Sequence, residues 1–172
     1  MRVLSLWQPF ASLCVYGLKS VETRNRPTLI RGRIGILATA TEPKEYRFIG
    51  FRDHFEEAFE QMLGTKSRER TRLAIDYLPR GSIVGTVDLY DCLPSERFRV
   101  GDKMSASEYA FGDFSPGRWG WMFRDPVRFK TPIPAKGGQV WKNFDLHLCR
   151  SCGQIAEPGI EFCTECQFSA LG

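Results

Sequence analysis

Four cysteines near the end of the chain constrain it most. Cys149-Arg150-Ser151-Cys152 and Cys163-Thr164-Glu165-Cys166 are two CxxC pairs separated by ten residues. Two thiolates three positions apart reach one cation from a single tight turn, and a second such turn completes the tetrahedral S₄ shell that Zn²⁺ prefers. Gly153 follows the first pair and Pro158-Gly159 lies between the two, so the loop has the residues needed to fold them together. Cys149, Cys152, Cys163 and Cys166 are therefore read as ligands of one structural Zn²⁺ in a zinc ribbon spanning 147–172. A four-cysteine shell leaves no open position at which to activate water. The competing use of these cysteines, two disulfides, needs an oxidising compartment. The opening Met1-Arg2-Val3-Leu4-Ser5-Leu6-Trp7 has no apolar core before Gln8-Pro9, and no window approaches 18 apolar residues. Neither a signal peptide nor a membrane span is expected, and a cytoplasmic or nucleoid-associated protein is.

The 172 residues leave room for one domain, 1–146, ahead of the ribbon. Residues 149–172 set Arg150 against Glu157, Glu161 and Glu165, a net −2, so residues 1–148 carry +6 within a formal total of +4. That balance admits a polyanionic partner without requiring one.

Hydrophobic patterning outlines a mainly β domain. Leu4–Leu6 reads as a strand running into a helix, with Pro9 at its first turn, Phe10, Leu13 and Cys14 on one face and Gly17 as its stop. Val21–Arg24 and Ile34–Ala38 read as extended segments, and Gly81–Cys92 is the clearest strand, rich in β-branched residues. From about 43 to 79 the pattern is charged and helical. Phe55, Ala58, Phe59, Met62 and Leu63 share one face, continued by Leu73, Ala74, Tyr77 and Leu78 after Gly64. Trp119–Phe123 and Val127–Lys130 flank Arg124-Asp125-Pro126, a turn signal that predicts a hairpin. Residues 133–148 return a last strand or loop. The expected class is α+β, mainly β: a small barrel with an early helix and a helical insertion, followed by the ribbon.

The densest chemistry lies in Gly17-Leu18-Lys19-Ser20-Val21-Glu22-Thr23-Arg24. In an extended segment Glu22 and Arg24 share a face at i and i+2, with Lys19 beside them. Arg24 can hold a phosphate or carboxylate bidentately, while Glu22 can pair with Arg24, hold a base amino group or act as a general base. The plainer alternative is a structural Glu–Arg pair with Lys19 solvated. Trp119 and Trp121, two apart, are assigned to the core, whereas Trp7 and Phe114 adjoin loop residues and suit a cleft. His54 and His147, the two histidines, have no evident nucleophilic partner, so no Ser-His-Asp arrangement is supported.

Several ordered segments resemble the ASCH (activating signal cointegrator homology) domains of the PUA-like superfamily. They are Leu6–Leu13, the GxKxxExR run Gly17–Arg24, Arg31-Gly32, Gly81–Val87, Phe111–Trp119 and Pro132–Gly137, covering about residues 3–143. The resemblance implies a PUA-like barrel whose cleft binds a nucleotide or a nucleic-acid segment, single-stranded RNA first and DNA second. It places the motif's Lys19 and Arg24 at that cleft, and the candidate binding set is completed by Trp7, Gln8, Glu22, Phe114, Ser115 and Arg118. Some ASCH proteins are amidohydrolases that deacylate a modified cytidine with a lysine, a threonine three residues later and a distant glutamate. Lys19 matches that lysine, but Glu22 replaces the threonine. Others are similar to ribonucleases, for which Lys19 would stabilise phosphorane charge while Glu22 or Glu108 takes the 2′-hydroxyl proton. A binding module is the leading expectation, a hydrolase the alternative, and an adaptor binding a protein partner through the ribbon the third. A monomer is expected.

Overall fold

The protein is described from a computed structural model, which covers residues 1–41, 43–44, 53–64, 74–98, 104–138 and 140–169. Its frame is a mixed six-stranded sheet, curled into a half-barrel. The strands are β1 (Arg2–Leu6), β2 (Val21–Arg24), β3 (Gly32–Ala38), β4 (Ser82–Pro94), β5 (Trp119–Pro134) and β6 (Trp141–Asn143). Their order across the sheet is β2-β5-β4-β3-β1-β6. β1 pairs parallel with β3 and every other pairing is antiparallel. β1 and β3 are buried over most of their length, as their near-continuous apolar runs require.

The long β4–β5 pair supplies the curl. Its register slips between Ile83 and Gly85, Thr86 and Asp88, and Leu89 and Asp91, and each bulge bends the strand and raises its twist. One slip corrects the expected hairpin: Trp119–Phe123 and Val127–Lys130 belong to a single strand. Arg124-Asp125-Pro126 is a bulge opposite β4, with Asp125 at φ +48°. The same residues suit both features, since proline lacks the N–H that a ladder needs and a bulge spares it that role. The true connection from β4 to β5 is residues 95–118, a 3₁₀ turn at Ser95–Arg97 followed by a short helix at Ala106–Ala110.

Inside the curl lie Leu4, Leu6, Ile34, Ile36, Val84, Val87, Leu89, Trp121 and Phe123. The early helix, α1 (Phe10–Val15), closes them with Ala11, Cys14 and Val15. Burial pushes the Cys14 thiol far above its ordinary pKa, so it packs as a neutral apolar group. The two ends of the sheet, β2-β5 and β1-β6, meet through side chains. Trp121 stacks on Trp141 with centroids 5.5 Å apart, and the Arg24 guanidinium donates to the Ser5 carbonyl at 3.2 Å.

The helical insertion covers α1. In α2 (Asp53–Leu63), Phe55, Ala58, Phe59 and Met62 pack with Leu13, Ile75, Leu78 and Phe111, each large side chain contributing about 1.5–3 kcal/mol of burial. Leu63 and Tyr77, expected on that face, are exposed. Leu63 follows Met62 by one position, about 100° around the helix, and Tyr77 falls between Ile75 and Leu78. Leu73 lies outside the described residues. No described helix is long and apolar enough to cross a membrane.

Candidate functional site

A cleft of about 470 Å³ opens where β2 approaches the end of β1. Its floor is the Glu22–Arg24 face of β2, and its walls are Ser5–Trp7, Phe10, Thr39, Phe55, Ala110–Asp113, Gly138 and Val140. Alternation along β2 buries Val21 and Thr23 and turns Glu22 and Arg24 together, as i and i+2 spacing requires. Arg24 Nε lies 3.0 Å from Glu22 Oε1, an ion pair without hydrogen-bond alignment. The guanidinium also stands over the Trp121 ring, 5.7 Å from its centroid. Trp7, 47% exposed, stands at the cleft wall.

Lys19 is beneath this floor rather than on it. It is 1% exposed, and its ammonium donates to the carbonyls of Val21 (2.5 Å) and Phe111 (2.8 Å), with Glu22 Oε2 at 3.7 Å. Burying an ammonium is tolerable only when its donors are satisfied and a counter-charge is near. These contacts supply both conditions and engage the amine beneath the cleft. The ammonium expected at a phosphorane is placed instead against Glu22 and the Val21 and Phe111 carbonyls.

Glu108 is likewise buried. Its carboxylate accepts from Ser20 N–H (2.7 Å), Ser20 Oγ–H (3.0 Å) and Val21 N–H (3.0 Å), and it lies outside the cleft lining. Three donors on one carboxylate make it a clamp on the start of β2, not a free base. Gln8, expected to meet a ligand, is fully buried. Its amide donates to Ser12 Oγ (2.9 Å) and the Pro79 carbonyl (2.7 Å) and accepts from Ser12 N–H (3.1 Å). It satisfies the Ser12 N–H in the first turn of α1 and ties the helix to the exit of the insertion. Phe114 faces away from the cleft, packed with Val21, Phe98 and Met104 and stacked on Tyr109. A buried ring offers no face to a base.

Ser115 and Arg118 form a rim beside the cleft through Asp113, a wall residue that sequence reasoning missed. Ser115 donates to Asp113 Oδ1 from its hydroxyl (2.7 Å) and its N–H (3.1 Å), holding that carboxyl below the usual carboxylate range. Arg118 donates to the carbonyls of Asp113 (3.0 Å) and Thr23 (3.3 Å), and Asp113 N–H donates to Thr23 Oγ1 at 3.0 Å. The Asp113-Phe114-Ser115 spacing, an aspartate two residues before a serine, is the local signal that would have found it. At Gly112 a Cβ would stand 2.7 Å from Phe114 and 3.1 Å from Thr23, so only glycine lets the wall approach β2 this closely.

At the far end, the Sγ atoms of Cys149, Cys152, Cys163 and Cys166 all lie within 4.8 Å of one another, none in a disulfide. Arg150 N–H donates to the Glu161 carbonyl at 2.8 Å and joins the two turns. Gly153, at φ +72°, closes the first by donating to the Cys149 carbonyl. The Cys152 N–H, foremost among several donors, holds the Cys149 thiol down at about 6. Four converging sulfurs can hold a metal ion. Gln154 links this cluster to the barrel. Its side chain accepts from Lys130 N–H (3.1 Å) and donates to the Arg128 carbonyl (2.7 Å), pairing the edge of β5 as a strand residue would.

The sequence model of the ASCH domain matches residues 4–116, well over half of the chain. The chain belongs to the ASCH domain family. Among curated proteins it is similar to human activating signal cointegrator 1, 33% identical over 140 residues, and to the mouse protein of that name, 32% identical over 140. Those residues are 81% of this chain and 22% of each relative, so the chain spans about a fifth of the length of the relatives it matches. Solved ASCH structures from Zymomonas mobilis are also similar. One aligns at 21% identity over 77% of this chain and 71% of its own, with a TM-score of 0.41, and a point variant of that protein at 20% over 84% and 87%, with a TM-score of 0.45. In this ASCH domain the family match ends at 116, inside the β4–β5 connection, and covers every cleft residue except Gly138 and Val140.

Proposed function

We propose that the ASCH domain is a nucleic-acid-binding module that holds one base of a single strand, RNA in the first instance, in the cleft over Glu22 and Arg24. The observation that carries this reading is the Glu22–Arg24 pair, fixed from below by Lys19 and flanked by the exposed Trp7. Glu22 accepts from a base's amino group, Arg24 meets the neighbouring phosphate, and Trp7 offers a stacking face. The net +6 of residues 1–148 supports the same polyanionic partner. The ribbon, at −2 before its thiolates are counted, contributes no such attraction.

The four cysteines bind one structural Zn²⁺. A tetrahedral shell with Zn–S bonds of about 2.3 Å sets the sulfurs roughly 3.8 Å apart, and the observed set needs little closure to reach it. Residues 1–146 and 147–172 form the barrel and ribbon units, joined at Gln154. Free thiols throughout favour a reducing compartment, cytoplasm or nucleoid.

A second reading, RNA cleavage, rests on Glu22 facing the cleft where a 2′-hydroxyl could deliver its proton. Fluorescence anisotropy with labelled single-stranded RNA, single-stranded DNA and duplexes, with gel analysis of the same samples, separates these readings. Saturable, salt-sensitive binding of single strands with intact RNA supports the module. Shortened RNA that survives in Glu22→Ala supports a contaminant, and its loss supports cleavage.

A further inference from the structure

A second recess lies across the seam between the two sheet edges. It measures about 490 Å³ and is lined by Arg26, Pro27, Thr28, Trp121, Val140 and Trp141. Val140 also lines the cleft, so the two spaces share a wall. Arg24 spans that boundary, its guanidinium on the Ser5 carbonyl and over the Trp121 ring.

Two observations at this recess call for an occupant. Trp141 is only partly buried, although it stacks on the buried Trp121, so one end of an indole stack reaches the surface. Arg26 is exposed, and among the described residues its guanidinium has no hydrogen-bond or ion-pair partner. The Arg26 backbone is held nonetheless, because its carbonyl accepts from the Trp121 indole N–H at 3.1 Å. An unneutralised cation on an anchored backbone beside a partly exposed indole is what one nucleotide of a single strand needs: a phosphate contact and a stacking platform.

We propose that this recess takes the nucleotide adjacent to the one in the cleft, with its base on Trp141 and its phosphate on Arg26. The assignment rests on the cleft reading above. It makes the seam between β2 and β6 a two-nucleotide track, Arg24 marking the step between them. A strand should then bind more tightly than a lone nucleotide, since the second contact is made only when a second residue is linked to the first.

The test compares a fluorescein-labelled single-stranded RNA heptamer containing all four bases with cytidine 5′-monophosphate. Arg26→Glu and Trp141→Ala should each weaken the heptamer about tenfold, and Arg26→Glu should flatten the salt dependence by about one charge. Both variants should bind the mononucleotide within about twofold of the parent. If Arg26→Glu, a surface change that spares the fold, binds the heptamer like the parent while Arg24→Ala is weakened, the track is wrong and the cleft stands. Equal losses for heptamer and mononucleotide would also overturn it, because Arg26 would then act on the cleft itself. A parent that binds neither probe removes the cleft reading and this inference together.

Discussion

Lys19 and Glu22 meet 3.7 Å apart under the cleft, the amine buried and the carboxylate 14% exposed. One side chain is therefore foundation and the other surface, although both belong to a single turn of sequence. Lys19 spends its remaining donors on the Val21 and Phe111 carbonyls, which fixes the cleft wall to β2.

Replacing Lys19 with Met should cost the fold, not only the ligand. Two buried carbonyls lose their donor and Glu22 loses one of its two cations, so urea denaturation should show a loss of about 2–4 kcal/mol. A stability unchanged from the parent would mean that Lys19 is solvated, as a local reading of the sequence allows.

Arg24→Ala should leave the stability within about 1 kcal/mol of the parent, since Arg24 is partly exposed and makes one backbone contact. Its affinity for single-stranded RNA should fall by about 1–3 kcal/mol, with a shallower salt dependence. Titrations at several salt concentrations read both quantities.

Glu22→Gln keeps the shape of the side chain and removes its basicity. Any RNA cleavage by the parent should vanish in this variant, while Glu108→Gln should instead lower stability, because Glu108 accepts three hydrogen bonds and lines no cleft. Release of cytidine from its N4-acetyl form without RNA cleavage would reverse the order of the two hydrolase readings.

Metal analysis of reduced protein should find one zinc per chain. Chelation should also raise hydrogen exchange at Lys130, whose N–H depends on Gln154, the residue after the Gly153 turn. Unchanged protection at Lys130 would show that the ribbon and the barrel edge are independent.

Much of this architecture is legible in sequence because local pattern and tertiary setting agree. β3 and β4 are recognisable from their β-branched, apolar runs, α2 from its 55-58-59-62 stripe, and the sulfur cluster from CxxC spacing alone. Three of the misreadings share a cause. Gln8, Lys19 and Glu108 are polar residues that no local pattern marks as buried, and each meets a partner 71 to 92 positions away. No local window reveals Pro79, Phe111 or Ser20 as those partners. Arg124-Asp125-Pro126 failed differently: a turn and a bulge draw on the same residues, and only the strand opposite, β4, decides between them.

The most direct test of the cleft is to follow backbone and indole N–H resonances while a single-stranded RNA heptamer is added. The amides of Glu22, Arg24, Gly112 and Asp113 and the Trp7 indole should move first and saturate together, with Cys149–Cys166 unaffected. Shifts confined to residues 149–169, with the β2 resonances still, would contradict the account and make the ribbon the binding surface.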